Sequence, residues 1–180
     1  MRFDRTSIAD VWVISPEAET DERGFFARTF CRDEFELHGL TSAFAQDSIA
    51  FNARSGTVRG IHFSLPPHSE TKVIRCLRGA IFDVVLDLRP NSATYLQTYS
   101  RILNDVERES LYVGRGIAHG YQTLTDDAEV SYRIDVPYVA GSAAGVRFDD
   151  PALGIDWPLP VTVLSERDRD LPLLAEVTKQ

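Results

Sequence analysis

Short apolar or alternating runs, separated by Gly, Pro, Asn and Asp, recur along the whole chain, and that punctuation belongs to β-structure. Residues 11–14 read as a first strand ended by Ser15-Pro16. Asp21-Glu22-Arg23-Gly24 reads as a turn into residues 25–30, a strand with an aromatic face. A single short helix is predicted over Arg32–Leu37: Asp33 and Glu34 sit where the helix dipole favours acids, and Gly39 stops it. Further strands are predicted at residues 73–77, 80–88, 95–102, 111–113, 117–121 and 129–136, with Arg78-Gly79 and Gly114-Arg115-Gly116 as turns. Residues 148–174, rich in Asp and Pro, read as loops with a little helix.

The chemically densest stretch is residues 56–72, Gly-Thr-Val-Arg-Gly-Ile-His-Phe-Ser-Leu-Pro-Pro-His-Ser-Glu-Thr-Lys, a strand, a loop and the start of a second strand. It sets a fixed cation (Arg59), an imidazole (His62) and an amine (Lys72) among apolar and turn-forming residues. Alternate side chains of a strand share a face, so Arg59, Ile61 and Phe63 are expected on one side and Gly60 and His62 on the other. Gly60 leaves room for something to lie close to the backbone beside His62.

Many short strands at about 8–12-residue spacing, with almost no helix, predict an antiparallel sandwich or barrel. The interior of a small barrel can enclose a ligand, which accounts for ionisable residues set in apolar strands: Lys72, Arg75, His119, Tyr132 and Arg133. Taken singly, a strand His or Lys is usually structural or faces water. Taken together, His62, His119, Lys72 and Tyr132, on four strand-like segments with apolar or glycine neighbours, point to a shared pocket.

With 180 residues, 43% of them hydrophobic, the chain has the size of one ordinary globular domain spanning residues 1–180. Its 19 Lys and Arg against 27 Asp and Glu leave a net charge of −8, which argues against nucleic acid as a partner. An anionic ligand must therefore be met by local arginines. Cys31 and Cys76 lie in unrelated segments without C-x-x-C spacing, so a reduced, cytoplasmic protein is expected rather than a disulfide or zinc framework. The opening Met-Arg-Phe-Asp-Arg-Thr lacks the apolar core of a signal peptide, and no run approaches a membrane span, so no membrane partner is expected.

Asp21-Glu22-Arg23-Gly24-Phe25-Phe26, Arg59-Gly60-Ile61-His62-Phe63, residues 78–89 (Arg-Gly-Ala-Ile-Phe-Asp-Val-Val-Leu-Asp-Leu-Arg), Gly116-Ile117-Ala118-His119-Gly120, Asp149-Asp150-Pro151 and Ser165-Glu166-Arg167-Asp168 stand out as motifs. In order and spacing, over nearly the whole chain, they resemble the dTDP-4-dehydrorhamnose 3,5-epimerase family. The resemblance implies an all-β, cupin-type jelly-roll (a double-stranded β-helix) with a few short helices. It also implies a homodimer and a nucleotide-linked 4-keto-6-deoxyhexose as substrate; no cofactor and no metal are expected.

Protons on carbon beside a ketone are weakly acidic, and epimerisation there needs a base, an electrophile for the enolate oxygen, and an acid on the other face. His62 suits the base, because an unperturbed imidazole titrates at about 6.5, provided its second nitrogen is held. The resemblance carries that acceptor role onto Asp168. Lys72, a compact cation, suits the developing oxyanion, and the resemblance places it near the ketone. Tyr132 suits the acid, and His119 a second polar contact to the sugar. For the nucleoside diphosphate, Arg23 and Arg59 match family positions that meet the ligand, and the forked donors of arginine suit diphosphate oxygens. Arg167 is a further candidate, Tyr138 or Phe26 is placed to stack on the pyrimidine, and Gln46 sits where the family has a ligand-reading glutamine. The chain departs from the family pattern at Arg28, where many members have glutamate, and at Ser48, where they have asparagine. A different pyrimidine nucleotide, as in a CDP-sugar, or inversion at a single carbon therefore stays open.

The alternative from another class is a metal-dependent cupin oxygenase or isomerase with His62, His68 and His119 as ligands. The His-x-His that supplies two ligands from one strand face is absent, since Phe63 and Ser64 follow His62, and His68 after Pro66-Pro67 reads as a loop residue.

Overall fold

The computed structural model describes residues 1–179. The chain runs β1 (Arg2–Arg5), β2 (Val11–Ser15), β3 (Ala18–Asp21), β4 (Gly24–Ala27), helix α1 (Arg32–Leu37), β5 (Gln46–Asn52), β6 (Val58–Ser64) and β7 (Lys72–Arg78). It continues with β8 (Ala80–Asp87), β9 (Thr98–Asn104), β10 (Ser110–Val113), β11 (Ile117–Thr123), β12 (Ala128–Ile134) and β13 (Ala143–Gly145). A 3₁₀ turn at Pro151–Leu153 and two four-residue helices, α2 (Glu166–Arg169) and α3 (Leu174–Val177), follow.

Six strands form one sheet in the order β1-β2-β10-β7-β12-β5, and five form a second in the order β13-β6-β11-β8-β9. Neighbours within each sheet are antiparallel. From β5 onward successive strands change sheet at every step except β8 to β9, which is the winding of the cupin-type jelly-roll. The hairpin β3–β4 stands apart from both sheets.

Three apolar clusters explain why several strands are buried on both faces and do not alternate. Ile74, Cys76, Ile81, Val85, Leu103, Leu111 and Val130 fill the space between the sheets. On the outer side of the five-stranded sheet, Ile61, Leu86 and Ala118 pack under Val146, Leu153 and Leu174 of the tail. On the outer side of the other sheet, Trp12, Ile14 and Tyr112 pack against Phe35 of α1 and Leu40.

Four expectations from sequence need correction. The aromatic strand stops at Ala27, so Phe25 and Phe26 stay on the exposed hairpin while Phe30 edges against Phe35. The strand expected from Tyr95 starts at Thr98, because Leu96 takes a left-handed conformation in a turn tied to the Asp87 carbonyl. Arg75 and Arg133 face outward. Ile74, Cys76 and Val130 occupy the inner face of β7 and β12, and strand alternation sends their neighbours to the other side. There Arg133 lies over the rings of Phe30 and Phe44 and pairs with Asp47 at 3.1 Å.

The fourth correction concerns β6 and positions the site. His119 pairs with His62 and Tyr121 with Arg59, so Gly60 and Ile61 oppose the single residue Gly120. That extra residue is a β-bulge, which resets the alternation and brings Arg59 round to the same cavity as His62. Gly60 adopts φ +104°, and a Cβ there would lie 2.7 Å from Gly120 Cα and 2.8 Å from the His119 carbonyl oxygen, so only glycine fits.

Candidate active site

A cavity of about 700 Å³ opens between the two sheets, within the range of small-molecule sites. The five-stranded sheet contributes Arg59 and His62 from β6 and His119 and Tyr121 from β11; the other sheet contributes Gln46, Ser48 and Ala50 from β5, Lys72 from β7 and Tyr132 from β12. The loop after β12 adds Tyr138 at the rim, and the tail adds Ser165, Arg167 and Asp168. Of the residues singled out in the sequence, the cavity gathers His62, Lys72, Tyr132, Asp168, Gln46, Arg59, His119, Tyr138 and Arg167. It does not gather Arg23, which lies exposed in the hairpin turn and pairs with Asp21 at 2.5 Å.

His62 Nε2 lies 2.6 Å from Asp168 Oδ1, while Asp168 Oδ2 accepts the Gly60 N–H at 3.2 Å. Helix α2 delivers this carboxylate: Ser165 caps it by accepting the Asp168 N–H at 3.1 Å, and Asp168 is buried. Burial alone raises a carboxyl pKa, but the bonds from His62 and Gly60 and the charge of Arg167 outweigh it and hold Asp168 below its ordinary value. The His62 ring remains 29% exposed, toward the cavity.

Directly across the strand pair, His119 Nε2 lies 2.8 Å from Asp83 Oδ2. Asp83 is fully buried, and its Oδ1 has no partner. Burial raises its pKa against the pull of His119 and Lys72. Lys72 Nζ pairs with Glu70 at 2.9 Å, and both line the cavity.

Tyr132 faces His119 edge-on at 6.0 Å between ring centres. Burial, with Tyr121 and Asp83 adding, raises the phenol well above 10, so it stays protonated. Arg59 donates through Nε to Asn52 Oδ1 at 2.8 Å, which also accepts the Tyr121 hydroxyl at 3.3 Å. Gln46 donates to the Val136 carbonyl at 2.9 Å and so pins the rim loop. Arg28 pairs with Glu34 outside the cavity, whereas Ser48 lines it.

Sequence reasoning missed Asp83, Glu70, Asn52 and Tyr121. Glu70, two residues before Lys72, carried a readable signal, because a carboxylate at that spacing can reach the amine. Asp83 sits in an apolar strand with no local partner, and only the fold joins it to His119. His62, His68 and His119 all line the cavity, yet among the described residues no three His, Cys, Asp or Glu side chains converge as a metal-binding group. No described helix is long and apolar enough to cross a membrane.

Residues 5–176 match the family model described as dTDP-4-dehydrorhamnose 3,5-epimerase. A dTDP-4-dehydrorhamnose 3,5-epimerase of Sinorhizobium fredii is 42% identical over 178 residues, covering 98% of this chain and 91% of the relative. A dTDP-4-dehydrorhamnose 3-epimerase of Streptomyces niveus is 41% identical, covering 98% of this chain and 85% of the relative. The crystal structure of the Bacillus anthracis dTDP-4-dehydrorhamnose 3,5-epimerase, with TDP and PPi bound, superposes with a TM-score of 0.93 at 38% identity, over 96% of this chain and 99% of that one.

Proposed function

The chain belongs to the dTDP-4-dehydrorhamnose 3,5-epimerase family, and from that we propose a mechanism for its cavity. The protein is an isomerase acting on a dTDP-linked 4-keto-6-deoxyhexose, dTDP-4-dehydro-6-deoxy-D-glucose. His62, backed by Asp168, removes the proton from a carbon beside the ketone. The enolate oxygen is met by the Lys72 ammonium and by His119, and Tyr132, reaching in from the opposite sheet, returns a proton to the other face. Arg59 and Arg167 take the diphosphate, Gln46 reads the ligand and Tyr138 stacks on the base. The observation that carries this reading is the 2.6 Å His62–Asp168 pair in a cavity that the Tyr132 phenol, kept protonated, lines from the other sheet.

We propose a homodimer as the working form. Its support is apolar surface without cover: Phe26 is 77% and Ile49 67% exposed, on the free hairpin and on the open edge strand β5. A hairpin laid along β5 of a second copy carries Arg23 toward that copy's cavity, which the inner face of β5 also lines. We place the enzyme in the cytoplasm, where its free thiols, Cys31 and Cys76, stay reduced.

Incubation with dTDP-4-dehydro-6-deoxy-D-glucose in heavy water tests the reaction. Deuterium is expected at both carbons flanking the ketone, with the doubly inverted sugar accumulating. Similarity to the Streptomyces niveus 3-epimerase favours a second reading in which one carbon inverts; label at a single carbon would establish it. No label at either carbon overturns both.

A further inference from the structure

We infer that Asp83 and His119 hold one proton between them and so present an N–H at His119 Nδ1 to the cavity, where it meets the ketone oxygen of the bound sugar. His119 spends Nε2 on Asp83 at 2.8 Å, so Nδ1 is the nitrogen left for the cavity that the ring lines. Asp83 is fully buried, accepts that single bond, and leaves Oδ1 with no partner. A carboxylate anion in such a place, facing a neutral imidazole, carries an uncompensated charge that water cannot reach, and that is costly.

One added proton removes the cost in either of two ways. It rests on the ring, giving imidazolium against carboxylate, or on Asp83, which then donates to Nε2. Both arrangements put hydrogen on Nδ1. The titratable groups around Asp83 do not undo this: Lys72, the nearby cation on β7, is already paired with Glu70, and Cys76, Tyr121 and Tyr132 all have raised pKa values and stay neutral. His119 thus serves as a second oxyanion donor beside Lys72, and Asp83 is its positioning residue.

The target of this N–H, the ketone oxygen, rests on the epimerase reading; the protonation state does not. Two-bond ¹H–¹⁵N spectra of the labelled protein therefore test it directly, with His119→Asn supplying the assignment. At pH about 8, above the ~6.5 of a free imidazole, His119 Nδ1 is expected in the protonated region. A bare Nδ1 overturns the inference whatever the enzyme catalyses.

Kinetics test its use. Asp83→Ala is expected to slow solvent exchange beside the ketone by about 10²-fold, the loss typical of one oxyanion donor, with KM little changed. Asp83→Asn, whose amide N–H still holds Nε2 and leaves hydrogen on Nδ1, is expected to retain clearly more. An Asn variant as slow as the Ala variant, or an Ala variant as fast as wild type, overturns the role in catalysis.

Discussion

Two histidine–aspartate pairs are built on His62 of β6 and His119 of β11, which are register partners, yet the carboxylates' environments differ in the sense that the two proposed tasks require. Asp168 arrives from the tail, 106 residues from its histidine, and finds a second donor in the Gly60 N–H and a nearby guanidinium in Arg167. Supplied in this way it stays an anion, as the proposed role of its histidine as the base requires. Asp83 lies on a central strand, fully buried, with one bond and one empty oxygen, and its pair is driven to keep a proton. The side-chain types are the same, and on the proposed roles the supply of hydrogen bonds around the carboxylate is what separates the pairs.

The sharpest way to break this contrast is at the base. His62→Ala is expected to reduce solvent exchange beside the ketone by about 10³-fold or more, and Asp168→Asn by about 10²-fold, within the span of general acid–base effects. Nucleotide binding, read by calorimetry with dTDP, should be nearly intact in both. Unchanged exchange in His62→Ala removes His62 as the base. Unchanged exchange in Asp168→Asn reduces Asp168 to a strut for the tail.

Gly60 is the next point of attack, because the bulge it makes brings Arg59 to the cavity and its N–H holds Asp168. Gly60→Ala forces a side chain onto φ +104° and into the Gly120 and His119 backbone, a strain on the order of 1–3 kcal/mol. Urea unfolding should register that loss. Relief by removing the bulge would turn Arg59 out of the cavity, so dTDP affinity should fall as well. A variant with wild-type midpoint and affinity would show that the bulge does not set the site.

That bulge also marks the limit of what the sequence discloses. Helix α1 and the central strands are legible because local periodicity and turn residues specify them, and the residues around His62 are legible as motifs. Strand alternation placed Arg59 on the wrong face because a single inserted residue, visible only in the pairing with β11, shifts the phase. Strand β5 was missed for the opposite reason: its inner face, Gln46, Ser48 and Ala50, lines a cavity, and its apolar residues, Ile49 and Phe51, point out, so apolar-in, polar-out patterning is inverted there. Asp83 was passed over because a buried carboxylate declares itself only through a partner 36 residues away.

The smallest expected effect is also the one in which the two aspartates should move in opposite senses. Asp168 has a folded-state pKa below its ordinary value of 3.8. Its contribution is therefore fully present above about pH 4 and is lost as the pH falls through the lower folded value. Asp83 has a raised folded-state pKa; above about pH 4 the folded chain binds more protons there than the unfolded chain, so stability declines as pH rises. Asp168→Asn should accordingly cost on the order of 1 kcal/mol at pH about 6 and little at pH about 3, whereas Asp83→Asn should compare better with wild type at pH about 8 than at about 5. Urea melts of the three proteins across that range give the two difference curves. Curves of opposite slope follow if hydrogen-bond supply separates the pairs, and parallel curves would mean that the two carboxylates titrate alike and that their division of labour has another origin.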